Sequence, residues 1–259
     1  MDTIAEITSC LKELHLPSIR ESFAQVADEA RDSSATFEQY LLELVKGECH
    51  ARRQNRVQRL LLESRLPLNK GMEIFDLKRL HPKLIQQINI LRDGSFLDRA
   101  ENVLAFGNPG SGKTHLLCAI GQELVFSGRR VIFFSTALLV QKLLLAKREL
   151  RLERFIKSLD KYDALIIDDI GYVEQSREEM EVLFSLFAER YERRSIMLTS
   201  NLPFSKWEKI FKDPMTAAAV IDRLVHHSII LELNLPSYRL EQSKNNQEKG
   251  GEEKSPAAA

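Results

Sequence analysis

Gly107-Asn108-Pro109-Gly110-Ser111-Gly112-Lys113-Thr114 is a run whose residue types and spacing suit one task, the holding of phosphate. Glycines at 107, 110 and 112 let the backbone turn tightly and aim its N–H groups inward, and a helix N-terminus directly behind them adds further donors. Lys113 is then expected to reach the β- and γ-phosphates of a nucleotide, and Thr114 to offer its hydroxyl to Mg²⁺. The apolar stretch Asn102–Phe106 precedes the run and the helix-like Leu116–Val125 follows it. That strand, loop and helix context is what separates a P-loop from a glycine-rich turn without a ligand. The expected nucleotide contacts run from Gly107 through Thr114 to His115.

Three further segments carry groups suited to phosphoryl chemistry. Ala164-Leu-Ile-Ile-Asp168-Asp169 reads as a buried strand ending in two acids, and ligands of open α/β sheets sit at strand C-terminal ends. Asp168 is expected to hold Mg²⁺ through its water shell, and Asp169 to polarise the attacking water; the alternative is a pair of capping acids before Gly171. An aspartate at the second position is one methylene shorter than a glutamate, so Glu174 is a possible assistant. Ser195-Ile-Met-Leu-Thr199-Ser200-Asn201 runs from a strand into small polar residues, where Asn201 could hydrogen-bond the γ-phosphate or the attacking water, although Ser and Asn also end strands as ordinary turn residues. Ala217–His227 places Arg223 on a predicted helix before the last strand. There it suits an arginine finger offered to a neighbouring subunit's ATP, or a surface pair with Asp222. His226 and His227 lack a cysteine or a second acidic cluster at metal spacing and read as packing or solvent residues.

The elements that must position these groups follow from periodicity. From Asp2 to about Arg65 the apolar residues recur at helical spacing, as in Ile4, Ile7, Leu11, Leu14 and Phe37, Leu41, Leu44, Val45. Residues 1–66 therefore form a small all-α domain. Pro67, Gly71 and Pro82 punctuate residues 67–99, an irregular connection with a short helix around Lys83 to Asn89. Residues 100–240 then alternate helical segments with five strands, the P-loop strand and Val131–Phe134, Ala164–Asp168, Ser195–Thr199 and Ser228–Leu233. That pattern predicts an α/β fold with a five-stranded parallel sheet and helices on both faces. Residues 241–259 are polar and charged with little to bury, and are expected to be disordered.

Composition narrows the classes. The chain of 259 residues is 44% hydrophobic, enough for one substantial core and a smaller appendage. Lys+Arg and Asp+Glu both total 37, so a polyanion partner must be sought in local clusters of charge. Cys10, Cys49 and Cys118 are widely spaced and include no Cys-x-x-Cys pair, which argues against a disulfide framework and a zinc site and for a reducing cytoplasm. The start lacks a signal-peptide pattern and no apolar run is long enough to cross a bilayer, so neither secretion nor a membrane is expected.

Taken with these motifs, the patterns Leu11-Lys-Glu-Leu-His-Leu-Pro-Ser-Ile-Arg20, Phe37–Leu44, Gly-Ser-Gly-Lys-Thr-His-Leu116, Ile-Ile-Asp-Asp-Ile-Gly-Tyr172, Thr-Ser-Asn-Leu-Pro-Phe-Ser-Lys-Trp207, Asp-Arg-Leu-Val-His226 and Ser-Tyr-Arg239 extend over nearly the whole chain. In these it resembles the insertion-sequence transposition helper ATPases of the IstB type, relatives of the DnaC-type helicase loaders within the AAA+ class. The resemblance implies an ATP- and Mg²⁺-dependent homo-oligomer that binds and deforms duplex DNA and directs a partner transposase to its target. It also implies that an Asp-Asp pair is normal in this branch, that Arg223 is the finger, and that Arg239 reaches the nucleotide as a second sensor. A DnaC-like loader shares every nucleotide motif and differs in its partner. A nucleotide-switched DNA-binding scaffold that hardly hydrolyses ATP would differ in turnover, and a small-molecule kinase lacks any sign of an acceptor pocket.

Two basic stripes are candidates for DNA. Arg52, Arg56 and Arg59 fall on one face of a predicted helix. Lys147, Arg151, Arg154 and Lys161 follow the second strand, with Glu149 and Glu153 expected to point elsewhere. No aromatic residue is interleaved among the arginines, so phosphate contact is better supported than base stacking.

Overall fold

Helical spacing early in the chain and β-branched apolar runs further on fold as two separate units, Met1–Arg59 and Leu60–Ala259. The computed structural model describes residues 2–171, 176–207 and 214–238. In the first unit α1 spans Thr3–Glu13, capped by Asp2, whose side chain accepts from the Ile4 N–H. Pro17 opens α2 (Pro17–Asp32) with its φ already helical, and α3 (Phe37–Ser64) begins in this unit and runs on into the second.

The start of α2 has no side-chain cap of its own. Glu48 of α3 supplies one: its carboxylate accepts from the N–H groups of Ser18 at 2.9 Å and Ile19 at 3.3 Å, and from Arg52 Nε at 2.8 Å. The same Arg52 guanidinium donates to the His15 carbonyl at 2.6 Å. Burial pushes the Glu48 pKa up, but the bonds from Arg52, Ile19 and Ser18 outweigh it and leave the carboxyl below its ordinary value.

In the second unit, strands β1 (Asn102–Gly107), β2 (Val131–Ser135), β3 (Ala164–Ile170), β4 (Ser195–Ser200) and β5 (Ser228–Leu233) form one sheet in the order β2-β3-β4-β1-β5. Every neighbouring pair is parallel. Strands β1, β3 and β4 are apolar at successive positions because both their faces are covered, whereas the edge strand β5 exposes Ile230 and Glu232. Leu104, Leu165, Ile167, Ile196 and Leu198 pack against α7 (Thr136–Arg148), α8 (Leu152–Leu159), α9 (Arg177–Arg190) and α10 (Pro214–Val225). Val103, Ala105, Ala164, Ile166 and Met197 face α6 (Lys113–Phe126). Helix α6 is buried from Leu116 to Gln122, as a helix apolar all round must be.

The stretch read as a connection belongs by its packing to this second unit. It forms two 3-10 turns, Met72–Ile74 and Leu77–Arg79, then α4 (Pro82–Arg92) and α5 (Ser95–Asp98). Met72, Leu80, Leu84, Ile88, Leu91, Phe96 and Leu97 are buried in the same cluster as α6 and β1. Its apolar residues are spread between Pro and Gly, which conceals a layer of the core behind loop-like punctuation.

Removing the Glu48 carboxylate leaves two helix N–H groups without their acceptor. Glu48→Ala should therefore cost about 1–3 kcal/mol in the helical unit, read by denaturant unfolding. A carboxyl whose folded pKa is depressed stabilises above its ordinary value of 4.5 and ceases to do so as pH falls through the folded value. The stability gap between wild type and Glu48→Gln should accordingly be full at pH 7 and close in acid below that window.

Candidate nucleotide site

The P-loop leaves β1 at Gly107, whose φ of +152° belongs to glycine and whose Cβ, if present, would run into the Leu233 carbonyl of β5. Gly112, at φ +97°, caps α6, where Phe75 already lies against its α-carbon. Between them the chain curls around Lys113. Its buried ammonium donates to the Gly107 carbonyl at 2.8 Å and the Asn108 carbonyl at 2.9 Å, so the cation is held in the mouth of the loop.

The acids meet this loop through hydroxyl groups. Thr114 Oγ1 donates to Asp168 Oδ1 at 2.8 Å and Thr199 Oγ1 donates to the same oxygen at 2.7 Å. Thr136 Oγ1 holds the Asp168 carbonyl at 2.8 Å. Asp169 adopts a left-handed φ of +62°, uncommon for a residue with a Cβ and characteristic of constrained sites. Its N–H donates to Thr199 Oγ1 at 2.8 Å.

Pro109 to His115, Asp169 and Asn201 line one cavity of about 300 Å³. Its remaining wall comes from Lys70, Ile74, Phe75, Asp76 and Arg79 before β1, and from Leu235 and Tyr238 after β5. Of these, only Tyr238 falls within a pattern noted in the sequence, Ser-Tyr-Arg239, and none was given a role there. The wall is tied to the loop: the Tyr238 N–H donates to the Gly110 carbonyl at 3.0 Å, Arg79 donates to the Pro236 carbonyl at 3.2 Å, and the Arg79 guanidinium lies 5.3 Å from the Tyr238 ring centroid. His115 makes a 3.0 Å bond to the Gly71 carbonyl and meets Phe75 edge-on. It therefore joins the P-loop helix to this wall.

Two polar atoms of the lining, Asn201 Oδ1 and Ser111 Oγ, are buried without a hydrogen-bond partner. Each such orphan costs about 1–3 kcal/mol, a cost that a polar ligand or its water would remove. The paired oxygens of Thr114 and Asp168 are the hard donors that Mg²⁺ takes, and those of a nucleotide's phosphates suit the P-loop N–H groups. The residues present thus fit both groups.

Arg223 lies elsewhere. It is near the end of α10, donating to the Ala219 carbonyl at 2.9 Å with its guanidinium 4.9 Å from the centre of the Phe184 ring. The chain then enters β5, where Ser228 pairs with Asn102. Arg223 is thereby placed at the beginnings of the strands, whereas the P-loop is at their ends. Arg239 and Glu174 fall outside the described residues.

The basic stripes change on folding. Arg52 is engaged inside the helical unit, as described above. Helix α7 ends at Arg148 and α8 starts at Leu152, with Leu150 at a left-handed φ of +54°, so the second stripe does not lie on one helix. Its cations are partly paired: Lys147 with Glu181 at 2.9 Å, and Arg151 with Glu149. The expectation that Glu149 points away is thus corrected, because the helix break turns Arg151 back onto it. His226 and His227 are exposed, with His226 Nδ1 3.0 Å from the Tyr191 hydroxyl and His227 Nε2 3.6 Å from Glu192. Cys118 is buried in α6, and burial pushes its thiol up to about 12, which leaves no reactive thiolate there.

Residues 9–246 match the family described as IstB-like ATP binding protein. The chain belongs to the IstB-like ATP-binding family. It is 42% identical over 236 residues to an insertion-sequence ATP-binding protein of Sinorhizobium fredii, covering 91% of this chain and 79% of that one. To the IS21 ATP-binding protein of Pseudomonas aeruginosa it is 36% identical, covering 94% and 91%. Among solved structures, the DnaC helicase loader shares the fold with a TM-score of 0.53 at 18% identity, over 64% of this chain and 97% of that one. AMPPCP-bound DnaA from Aquifex aeolicus gives 0.53 at 20% identity, over 76% and 58%. The chain thus shares its α/β P-loop fold with DnaC and DnaA. Among the described residues no helix is long and apolar enough to cross a membrane.

Because Lys113 is the cation seated inside the P-loop, Lys113→Ala should weaken ATP binding at least roughly tenfold, about 1.4 kcal/mol, in calorimetric titration. The circular dichroism spectrum should be unchanged. Wild-type affinity in the variant would place the nucleotide elsewhere.

Proposed function

We propose that this chain is an ATP-dependent DNA-binding helper of transposition. It assembles with copies of itself on duplex DNA, hydrolyses ATP at subunit interfaces and directs a partner transposase, in the cytoplasm. The observation that carries this is the division of the phosphoryl machinery between the two ends of the strands. Lys113, Thr114, Asp168, Asp169 and Asn201 gather at one end, all but Asp168 on the cavity itself. Arg223 stands at the other, where its own subunit's cavity is out of reach and a neighbour's is the remaining target.

In this reading Lys113 and the P-loop N–H groups hold the β- and γ-phosphates, and Thr114 with Asp168 holds Mg²⁺. That ion, when bound, neutralises charge on the transferring phosphoryl group. Asp169 accepts a proton from the attacking water, which Asn201 orients with its orphan oxygen. Arg239 follows Tyr238 of the cavity wall in sequence and acts as the second sensor. Insertion-sequence ATP-binding proteins are its relatives, which supports a transposase as partner over a replicative helicase. Retention on DNA of the transposase encoded beside this gene, and not of a replicative helicase, is the discriminating pull-down.

Asp169→Asn should bind Mg-ATP but lose hydrolysis by roughly 10²-fold or more, and remain on DNA longer in ATP. Unchanged turnover would transfer the general-base role to another acid. Arg223→Ala should bind ATP and hydrolyse it poorly. Mixed with Lys113→Ala, which retains Arg223, it should regain part of the activity with a maximum at intermediate ratios in steady-state assays on DNA. Co-assembled mixtures that stay inactive at every ratio would count against a finger acting in trans.

A further inference from the structure

Strands β3 and β4 fall out of step exactly where the acids lie. The ladder pairs Ile167 with Leu198 and then Ile170 with Ser200, so two residues of β3, Asp168 and Asp169, stand against Thr199 alone. Such a bulge leaves backbone groups without ladder partners and re-aims side chains. Here the Thr199 side chain takes the place of the missing ladder bond. Its oxygen accepts the Asp169 N–H at 2.8 Å and its hydroxyl hydrogen goes to Asp168 Oδ1 at 2.7 Å. The residue is fully buried, so no water substitutes for it.

We propose that Thr199 is the positioning residue of the hydrolytic site, one hydroxyl that sets both acids at once. The proposal rests on the ATPase reading above and assigns a role to a residue that the sequence motifs contain without giving it one. With the Asp169 N–H occupying a lone pair, the hydroxyl rotor is fixed and its hydrogen has one direction to take. Asp168 Oδ1 then receives two donors, Thr199 and Thr114, which orients the carboxylate and leaves Oδ2 to face a metal's water shell. The bond to the Asp169 N–H holds the left-handed turn at φ +62°, the turn that brings Asp169 into the cavity lining. Thr199 acts through its neighbours, since it is absent from the lining itself.

Thr199→Val keeps the branched shape and deletes the hydroxyl, and Thr199→Ser keeps the hydroxyl and deletes the methyl. Two measurements separate positioning from packing. In the first, binding of a fluorescent, non-hydrolysable ATP analogue is followed as Mg²⁺ is titrated. The valine variant should need roughly 10- to 100-fold more Mg²⁺, the usual effect of removing a group that orients a metal ligand, and the serine variant should remain near wild type. In the second, steady-state hydrolysis on DNA, valine should lower kcat by roughly 10²-fold with little change in KM for ATP, and serine should restore most of it. If Thr199→Val does not fold, Thr199→Ala takes its place against the serine variant. Equal Mg²⁺ dependence in wild type and the hydroxyl-less variant would overturn the proposal, as would a serine variant as impaired as valine. A wild-type protein that binds the analogue but never turns over ATP would defeat the ATPase reading, and the Mg²⁺ titration would still decide the role of Thr199.

Discussion

The structure of the site depends on one carboxylate. Asp168 Oδ1 accepts hydroxyls from Thr114 at 2.8 Å and Thr199 at 2.7 Å, and the Asp168 carbonyl accepts a third, from Thr136. These hydroxyls come from the start of α6, from β4 and from the start of α7. The bonds therefore gather the P-loop helix and the ends of two neighbouring strands around a single acid. Hydrogen bonds to an ionised acceptor are stronger than neutral ones, and here they lie at the edge of a water-poor core. Displacing any of these elements would loosen the same point.

What keeps the elements in place is apolar. The strands bury residues on both faces, and a fully buried Leu or Ile contributes about 1.5–3 kcal/mol, against about 0–1 kcal/mol for an exposed ion pair such as Lys147–Glu181. A frame of that kind can tolerate local costs at its edge. They are visible there: the left-handed Asp169 and the orphan oxygens of Asn201 and Ser111. All three belong to the cavity lining, where strain and unmet hydrogen bonds have a functional use.

Two arginines of this chain serve the fold. Arg190 is fully buried and donates to the carbonyls of Leu159, Tyr162 and Ser195, and burial lowers it to about 10. Arg52 completes the cap that Glu48 places on α2. Both ends of such a bond are far apart in sequence or concealed by a helix face. A row of basic residues at helical spacing is for that reason a poor guide to a DNA surface.

By itself the sequence determined the five strands, the P-loop between Gly107 and Thr114, and the acids at the end of β3, because each is written in contiguous residues with a local physical cause. Gly107 and Gly112 show their need for positive φ in the bare spacing of the motif. Tertiary structure alone decided that residues 67–99 are core and cavity wall, since Met72, Ile88 and Phe96 gain meaning only against α6 and β1. It decided likewise that Arg52 is spent on a cap, that Leu150 breaks the second basic stripe, and that Thr199 stands opposite two acids. The reason is common to all of these: a hydrogen bond or an apolar contact between distant residues is set by strand order and register. Sequence spacing does not record either one.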